Sequence, residues 1–522
     1  MMKHFFRLKN IQLSLSMIAV AYSAISCSDL EEQVYSQVNI DKFYSTEDQA
    51  QLALNGVYSI FLGGDIYRDG IWTTLNDVTS FTLKGGGSAN GSGDRSGIDN
   101  EWNTFTWTAD ALELSTEWNN NYQAVNRANT LIDKVLASSI ADNAKSRLIG
   151  EAIFMRAFIY FDLVKLFGGV PLYTKGTADL SEAYLPRNTV EEVYAQIITD
   201  LQEAQTYLSP FEPSNQSIGK ATYASATALL AKVYLQQRNW AKAAEEAKKI
   251  MDMDYFSLLA DYENIRNPEF HNGSEQIFSI QTGGNGNLNS QIYQTRFIYL
   301  AGPPAQNLPD GKNVLFHSLK DVVIFQAEEN FFNSTPETYR KWWTMRKKMP
   351  YYYNNSVSAG NLVQDTVEMY APFLVKYHRI DFSSGNLHEG VNFPILRYAD
   401  VLLTYAEAIN EENNGPTAAA YDALNAVRQR ARAVGTEFEQ PESIYPDISG
   451  VGQVEFREAV LNEYKREFAG EGHFRSDLLR HDLYISNAQA NGATAASDNH
   501  KLFPLPSTQL STNSELEQNP GY

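Results

Sequence analysis

Two glutamates near the end of a predicted helix have the spacing of a carboxylate pair. Glu467 and Glu471 stand four residues apart, and most glycoside hydrolases use two neighbouring carboxyl groups as acid and as nucleophile or base. Arginines are interleaved with this pair, and a nearby positive charge keeps a carboxylate ionised and unsuited to acid catalysis. We therefore expect a structural network of ion pairs and hydrogen bonds here, formed by Arg466, Glu467, Glu471, Arg475, Asp477 and Arg480.

A single cysteine follows an apolar segment at the N-terminus. Three basic residues among the first nine precede the apolar stretch 11–25, which is shorter than the ~20 residues that a membrane-spanning helix needs. Cys27 is the only cysteine in 522 residues, so it cannot form a disulfide within the chain. The stretch Ala24-Ile25-Ser26-Cys27 is similar to a bacterial lipobox, apart from Ile25. We expect a lipid on Cys27 that holds the protein at a membrane surface; the alternative is an uncleaved signal with an incidental thiol.

Aromatic residues in loops are the candidates for binding a neutral solute. The chain contains 30 tyrosines, 27 phenylalanines and 7 tryptophans, and most of so large a supply must lie in the core. Aromatic faces suit the C–H patches of sugars, while amides, carboxylates and arginines bind the hydroxyl groups. Trp107 and Trp118 flank predicted helices, so we expect them in the core, and Trp240 is expected to pack at a hairpin turn. The residues predicted to bind ligand form four groups: Trp72, Asn76 and Asp77; Arg95 and Trp102; Tyr293, Arg296 and Phe297; Trp342 and Trp343, near Arg346.

The sequence lacks the signatures of common catalytic and cofactor sites. It contains no glycine-rich phosphate loop with Lys-Ser/Thr, no His-Glu-x-x-His and no Gly-x-Ser-x-Gly. We expect no catalytic residue, no metal and no cofactor besides the N-terminal lipid, although calcium ligands from Asp and Asn loops leave too weak a signature to exclude Ca²⁺. The 42 basic and 62 acidic residues give a net charge of −20. This charge excludes a nucleic-acid partner, because phosphate neutralisation needs clustered Lys and Arg.

Helical periodicity occupies most of the chain after residue 45. Ser45 or Thr46 is predicted to cap the first helix, and in 223–251 small residues recur at the spacing of tetratricopeptide hairpins. Between 261 and 389 the composition becomes rich in Gly, Asn, Pro, Tyr and Trp, with short strand-like runs at 276–281 and 373–377. The predicted fold is mostly α, built from tetratricopeptide-like helical hairpins with a large irregular, loop-rich insertion that carries short strands. The other predicted helices span 112–136, 144–167, 399–410, 417–432 and 456–468.

These patterns also predict the organisation of the chain. A long irregular segment within a regular domain is more often functional than decorative, so the insertion is expected to face the ligand. The predicted parts are a lipoprotein signal peptide at 1–26, a lipidated acidic tether at 27–45 and one domain at 46–522, in which 46–260 and 390–480 form the helical scaffold, 261–389 the irregular region and 481–522 a docked C-terminal segment.

Several sequence stretches, in a fixed order, carry a family resemblance. The first is FPILRYADVLLTYAEA at 393–408, and the second is NEYKREFAGEGHFRSDLLR at 462–480. FPLP at 503–506 and QNPGY at 518–522 close the chain, while NRAN at 126–129 and GGVP at 168–171 precede them. Together these stretches resemble the SusD/RagB family of outer-membrane nutrient-uptake lipoproteins of Bacteroidetes. Ser476 departs from the family pattern, which often has an aromatic residue there.

The resemblance implies a fold and a role. It implies a SusD-like α-α superhelix and a non-enzymatic, surface-exposed protein that binds a solute, commonly an oligosaccharide. Such a protein delivers its ligand to a SusC-like TonB-dependent transporter barrel and acts as its lid. The implied location is the cell outer membrane, anchored through the lipid and facing outward, with the transporter, the glycan and the membrane lipid as partners.

Two other functions remain open at the level of the sequence. A lipid-anchored glycoside hydrolase would need two carboxylates among the 62 acidic residues. A purely structural or adhesive helical-repeat lipoprotein would need no small ligand. The sequence names neither the glycan nor the aromatic residues that would bind it.

Overall fold

Helices form the scaffold of the chain and strands are confined to a few small sheets. The computed structural model describes residues 43–59, 70–85, 98–177, 179, 182–210, 219–281, 312–314, 325–353, 362–377, 380–381, 386–387 and 391–522. The segment Tyr44–Tyr522 forms one packed unit. Within the described ranges, no helix has both the length and the apolar character to cross a membrane.

Most of the longer helices agree with those predicted from periodicity, but the 18-residue Val190–Tyr207 was not predicted. In chain order the helices are α1 (Glu47–Tyr58), α2 (Ile98–Thr104), α3 (Leu112–Ala137), α4 (Asp142–Phe167), α5 (Val190–Tyr207), α6 (Tyr223–Gln236), α7 (Trp240–Met251), α8 (Glu329–Ser334), α9 (Tyr339–Thr344), α10 (Tyr398–Glu412), α11 (Ala418–Ala431), α12 (Gln453–Glu467), α13 (Phe474–Arg480), α14 (Tyr484–Ala490) and α15 (Ser507–Thr512).

Side-chain caps fix where several helices begin. The hydroxyl of Thr46 accepts a hydrogen bond from the Gln49 amide at 3.4 Å, so Thr46 is the predicted cap of α1. Thr189 and Glu192 form a reciprocal capping box at the start of α5. Gly168 ends α4 with a positive φ of 75°, directly after the last residue of the predicted helix 144–167.

Small residues let the helical hairpins pack closely. Ala231 of α6 and Ala247 of α7 are 1% and 0% exposed, and the two helices pack against each other. This confirms the tetratricopeptide-like hairpin. The pairs α3–α4 and α10–α11 pack in the same way, and α4–α5 and α7–α10 contacts join successive pairs into one stack.

The strands lie mostly in the insertion; Leu362–Leu374 is longer than predicted and Met345–Tyr353 was not predicted. They are β1 (Leu83–Gly85), β2 (Gln276–Ile280), β3 (Lys312–Val314), β4 (Phe325–Ala327), β5 (Met345–Tyr353), β6 (Leu362–Leu374), β7 (Ile380–Asp381), β8 (Asn386–Leu387) and β9 (Phe393–Arg397). All pairings are antiparallel: β1 with β4, β2 with β9, β3 with β5, β5 with β6, and β7 with β8. The 13-residue β6 was predicted only at its last residues, because register shifts in the β5–β6 ladder interrupt the alternation that marks a strand.

The C-terminal segment docks on the helical scaffold. Asn519 donates to the carbonyl oxygens of Phe167 and Phe503 at 3.0 and 2.7 Å. Arg187 donates to the Asn519 side chain at 2.8 Å, and the Trp107 indole donates to the Tyr522 hydroxyl at 3.0 Å. These bonds hold the last residues against the end of α4.

Candidate functional site

The motif glutamates lie in a buried cluster of ion pairs. Glu467 and Glu471 are 0% and 2% exposed. Arg397, the last residue of β9, donates Nε and Nη2 to the two carboxylate oxygens of Glu471 at 2.9 and 2.8 Å. Its Nη1 also donates to Glu467 at 2.9 Å. The buried ion cluster consists of Glu275, Arg340, Lys376, Arg397, Arg430, Glu463, Glu467 and Glu471.

Arginines hold Glu467 in its ionised form. Burial alone opposes ionisation, but Arg430 and Arg397 outweigh it and hold the pKa of the Glu467 carboxyl well below its usual range. Arg430 donates to one oxygen of Glu467 at 2.7 Å, and Arg340 donates to the other at 3.0 Å. A carboxylate with both oxygens bound and no solvent access neither donates a proton nor reaches a substrate. The Glu467–Glu471 pair is therefore structural.

The other charged residues of the motif also make structural contacts. Arg480 donates Nε and Nη2 to the two oxygens of Glu407, both at 2.7 Å, and this pairing lowers the pKa of Glu407 to about 2 against the opposing effect of its burial. Arg475 donates to two carbonyl oxygens, those of Lys165 and Lys501. The predicted network is confirmed in kind, although most of its partners come from outside the motif.

Trp72, Asn76 and Asp77 brace a chain reversal, which corrects their prediction as ligand-facing residues. Asp77 is 1% exposed, and its two carboxylate oxygens accept the backbone N–H groups of Gly470 and Gly472 at 2.9 and 2.8 Å. Burial raises the pKa of Asp77 to about 6, although these bonds oppose the rise. Asn76 is 1% exposed and donates to the Trp72 carbonyl at 3.0 Å. All three side chains are at most 6% exposed, so none offers an open face to a sugar.

Gly472 shows why the reversal is tight. Its φ is +74°, and a Cβ built on it would lie 1.9 Å from Nε1 of the Trp72 indole. Only glycine fits both the positive φ and the close approach. The indole of Trp72 is 6% exposed and faces the reversal and Lys165, whose ammonium is 5.0 Å from the ring.

Trp102 packs in an aromatic core, which is a second correction. It is 0% exposed and stacks on Trp107, with the ring centroids 5.3 Å apart. Phe503 meets Trp102 edge-on at 5.8 Å. The loop position suggested exposure, but the α2 segment folds this ring under the C-terminal segment. The core positions predicted for Trp107 and Trp118 are confirmed, since they are 3% and 4% exposed.

Trp342, Trp343 and Arg346 form what we call the tryptophan platform. Trp342 is 39% exposed, whereas Trp343 is half-buried under Arg266, whose guanidinium lies 4.3 Å from its ring. Arg346 lies 3.9 Å from the Trp342 ring and 5.0 Å from the Trp343 ring, so it contacts both indoles. One indole therefore presents a braced aromatic face to solvent, with a guanidinium against it. This is the arrangement that a stacked sugar ring needs.

The remaining predicted residues lie outside the described ranges. They are Cys27, Arg95, Tyr293, Arg296 and Phe297. Among the described residues, no group of three or more His, Cys, Asp and Glu side chains is arranged to hold a metal ion. The structure does not bring the described candidates together, because Trp72 lies by α4 and the reversal, Trp102 under the C-terminus, and Trp342 on α9.

Sequence reasoning missed the partners of the motif glutamates. Glu275 precedes β2, Arg340 lies on α9 and Arg430 on α11, and all three are at most 4% exposed. Charged residues at positions that helical periodicity assigns to the buried face are the available signal, as Arg430 is on α11. A single sequence does not show which opposite charges meet.

These features define a helical-repeat scaffold with a non-catalytic charged core and an exposed aromatic platform. The family described as "SusD family" matches residues 323–522, and the one described as "Starch-binding associating with outer membrane" matches residues 73–235. The chain belongs to the SusD/RagB family.

Relatives match along most of the chain. A SusD-like protein P2 from Formosa agariphila is 29% identical and is aligned over 97% of this chain and 99% of its own. The starch-binding protein SusD from Bacteroides thetaiotaomicron is 24% identical over 76% of each chain. A crystal structure of a SusD homologue from Bacteroides thetaiotaomicron superposes with a TM-score of 0.74, at 23% identity, over 93% of this chain and 99% of that one. The last similarity shows the fold.

Proposed function

We propose that this protein is a non-enzymatic, oligosaccharide-binding lipoprotein of the outer membrane that passes its ligand to a TonB-dependent transporter barrel. The observation that carries the proposal is membership of a family with starch-binding, outer-membrane-associated members. The lipid is assigned to Cys27, and the protein faces outward as the lid of a SusC-like barrel. These finer assignments rest on the sequence of the N-terminus and on the family resemblance.

The tryptophan platform is the described surface that best suits a glycan. Trp342 offers an aromatic face, and Arg346 fixes that face because its Nε also donates to the Trp342 carbonyl at 2.9 Å. A braced ring loses little side-chain entropy when a ligand binds. Arg95, Tyr293, Arg296 and Phe297 stay predictions for the rest of the binding surface.

The chemistry of the charged core favours binding over hydrolysis. Glu467 and Glu471 are the carboxylate pair suggested by sequence, and arginines or Lys376 engage both of them. The hydrolase alternative would therefore need a different pair of carboxyl groups. Incubating the purified protein with a glycan that it binds tests this alternative, because release of reducing ends would refute the non-enzymatic proposal.

Affinity electrophoresis tests glycan binding. The protein lacking residues 1–26 and carrying Cys27→Ser is run through gels that contain neutral polysaccharides. We expect retardation by at least one glycan, and Trp342→Ala to weaken it roughly tenfold, the equivalent of about 1.4 kcal/mol. Leu112→Ala, at a residue 67% exposed on α3, is the matched control and should bind normally. Absence of retardation across the panel contradicts the proposal.

A labelling experiment tests the anchor and the partner. Metabolic labelling with a fatty acid should mark the wild-type chain and leave Cys27→Ser unmarked. Cross-linking on intact cells should join the protein to a TonB-dependent barrel identified by mass spectrometry. An unlabelled wild-type chain would refute the lipid at Cys27, and cross-links that never include such a barrel would refute the transporter pairing.

A further inference from the structure

A cleft opens between α3, the segment that follows α4 and the C-terminal α15. Its volume is about 400 Å³, within the range of small-molecule sites. One wall is the face of α3 that carries Asn119, Tyr122 and Gln123; Tyr173 and Tyr184 form the second wall, and Gln509 belongs to the third. The cleft shares no lining residue with the tryptophan platform.

The described side chains that line this cleft share one property, which is that they carry no charge. None of the described residues that line it is an acid, a base or a histidine, although 20% of the chain is Asp, Glu, Lys or Arg. A charged ligand that entered the cleft would lose its hydration without gaining a counter-ion, which is unfavourable. Aromatic rings and side-chain amides instead match a ligand that alternates C–H patches with hydroxyl groups.

The aromatic wall is braced. The Tyr122 hydroxyl donates to the Pro171 carbonyl at 3.0 Å, and the Tyr173 hydroxyl donates to the Ala183 carbonyl at 2.8 Å. The rings of Tyr122 and Tyr173 meet edge-on with centroids 5.7 Å apart. Both rings are thus held in place without a ligand, which reduces the entropy that binding would cost.

Some side chains on the rim of the cleft have polar groups that form no hydrogen bond within the described part of the chain. Tyr184 is 47% exposed, and within the described part of the chain its hydroxyl has no hydrogen-bond partner. The Gln123 side chain is exposed and likewise bonds to none of the described residues. Asn119 accepts from Gln509 at 2.9 Å, which orients both amides toward the cleft. An exposed ring beside the free Gln123 amide is a contact surface that the described part of the fold does not use.

We propose that this cleft is a second carbohydrate subsite, which binds a neutral oligosaccharide segment and excludes uronic or sialic acids. The inference rests on the proposed function, because it assigns the same ligand class to a separate part of the scaffold. Two subsites on one chain would hold a long glycan at two places and raise its effective concentration at each.

Hydrogen–deuterium exchange with a bound glycan tests the cleft directly. The neutral oligosaccharide retained best in gels is added at saturation to the protein that carries Cys27→Ser. We expect slower exchange in peptides covering 173–185, and the same slowing in Trp342→Ala. Tyr184→Ala should raise the glycan concentration that gives half-maximal protection roughly tenfold. Tyr184→Phe, which keeps the ring, should leave that concentration unchanged. An acidic oligosaccharide should give no protection there.

The outcomes separate this inference from the proposed function. Protection elsewhere with none in 173–185 overturns the second subsite and leaves glycan binding intact. Protection that survives Tyr184→Ala unchanged also overturns it. A wild-type protein that binds none of the neutral glycans refutes the proposed function, and the subsite with it. Tyr184 is exposed, so its variants should keep the wild-type melting temperature, which confirms that loss of protection reports binding.

Discussion

Arginine lies against an aromatic ring in two parts of this protein, with opposite consequences. In the buried ion cluster, the Arg397 guanidinium lies 4.4 Å from the Phe468 ring and is 1% exposed. On the tryptophan platform, Arg346 lies 3.9 Å from Trp342, and that indole is 39% exposed. The contact geometry is similar, so residue type does not distinguish the two sites.

The distinction comes from what covers the second face of each ring and from the acids nearby. Arg397 donates to three carboxylates, those of Glu275, Glu467 and Glu471, which fix its position within the fold. Arg346 braces an indole whose outer face remains accessible. A buried charged group acts on stability, whereas an exposed and braced ring is available to a ligand. Four variants test this division.

The largest effect should come from Glu467→Gln. The substitution leaves Arg397, Arg430 and Arg340 buried with less counter-charge, and breaking a buried pair costs about 3–5 kcal/mol. Urea unfolding at pH 7 measures the loss. Glu458→Gln on the exposed side of the same helix is the control and should change stability by less than about 0.5 kcal/mol. Equal stability for the two variants would contradict the structural role of the cluster.

A pH-dependent effect should come from Glu117, a buried carboxylate that has no arginine partner among the described residues. Burial, with a contribution from Asp162, raises its pKa from 4.5 to about 8. A raised folded-state pKa gives stability that is fully present below the unfolded pKa and is lost as pH rises from about 4.5 through about 8.

Glu117→Gln should remove this part of the pH dependence. Between pH 5 and pH 8.5, the free energy of unfolding should fall by on the order of 3 kcal/mol more in the wild-type protein than in Glu117→Gln, because of the pKa shift. Urea unfolding of both proteins at the two pH values measures this difference. Glu467 is the contrast within the molecule, because its pKa is shifted the opposite way. Parallel losses in the two proteins would show that Glu117 is not the group that titrates.

A smaller effect should follow Gly472→Ala, which tests the reversal that joins the cluster to Trp72. The new methyl group would meet the indole, and φ is +74°. We expect a loss of about 2–3 kcal/mol from overpacking and backbone strain combined. Gly492→Ala, with φ of +97° and open space around the Cβ, isolates the strain and should cost about 1 kcal/mol. Equal costs would mean that the indole moves aside freely.

The smallest change in stability should follow Trp342→Ala, even though it weakens glycan retention. An exposed side chain contributes little to folding, so the expected change is within about 0.5 kcal/mol. Trp102→Ala, by contrast, empties a buried aromatic site and should cost about 3–5 kcal/mol. Thermal unfolding of both variants measures the contrast. Comparable losses of stability would show that Trp342 contributes to folding as much as a core residue does.

The sequence predicted most of the helical scaffold, though not α5, because helix formation leaves local signals. Thr46 caps α1, Gly168 stops α4, and small residues mark the α6–α7 pair. The long β5–β6 hairpin was mostly missed, because strand pairing depends on a partner elsewhere in the chain and its register shifts hide the alternation.

Among the candidate residues, the sequence determined composition and order, and the tertiary structure decided exposure. The sequence suggested loop positions for Trp72, Trp102 and Trp342 alike, yet only Trp342 among these three keeps an accessible face. The spacing of Glu467 and Glu471 showed a carboxylate pair, but the arginines that make it structural come from β9, α9 and α11. Helix periods and caps act over a few residues and can be read along the chain. Burial and ion pairing join residues more than a hundred positions apart, as in the 127-residue separation of Arg340 and Glu467, and only the folded chain defines them.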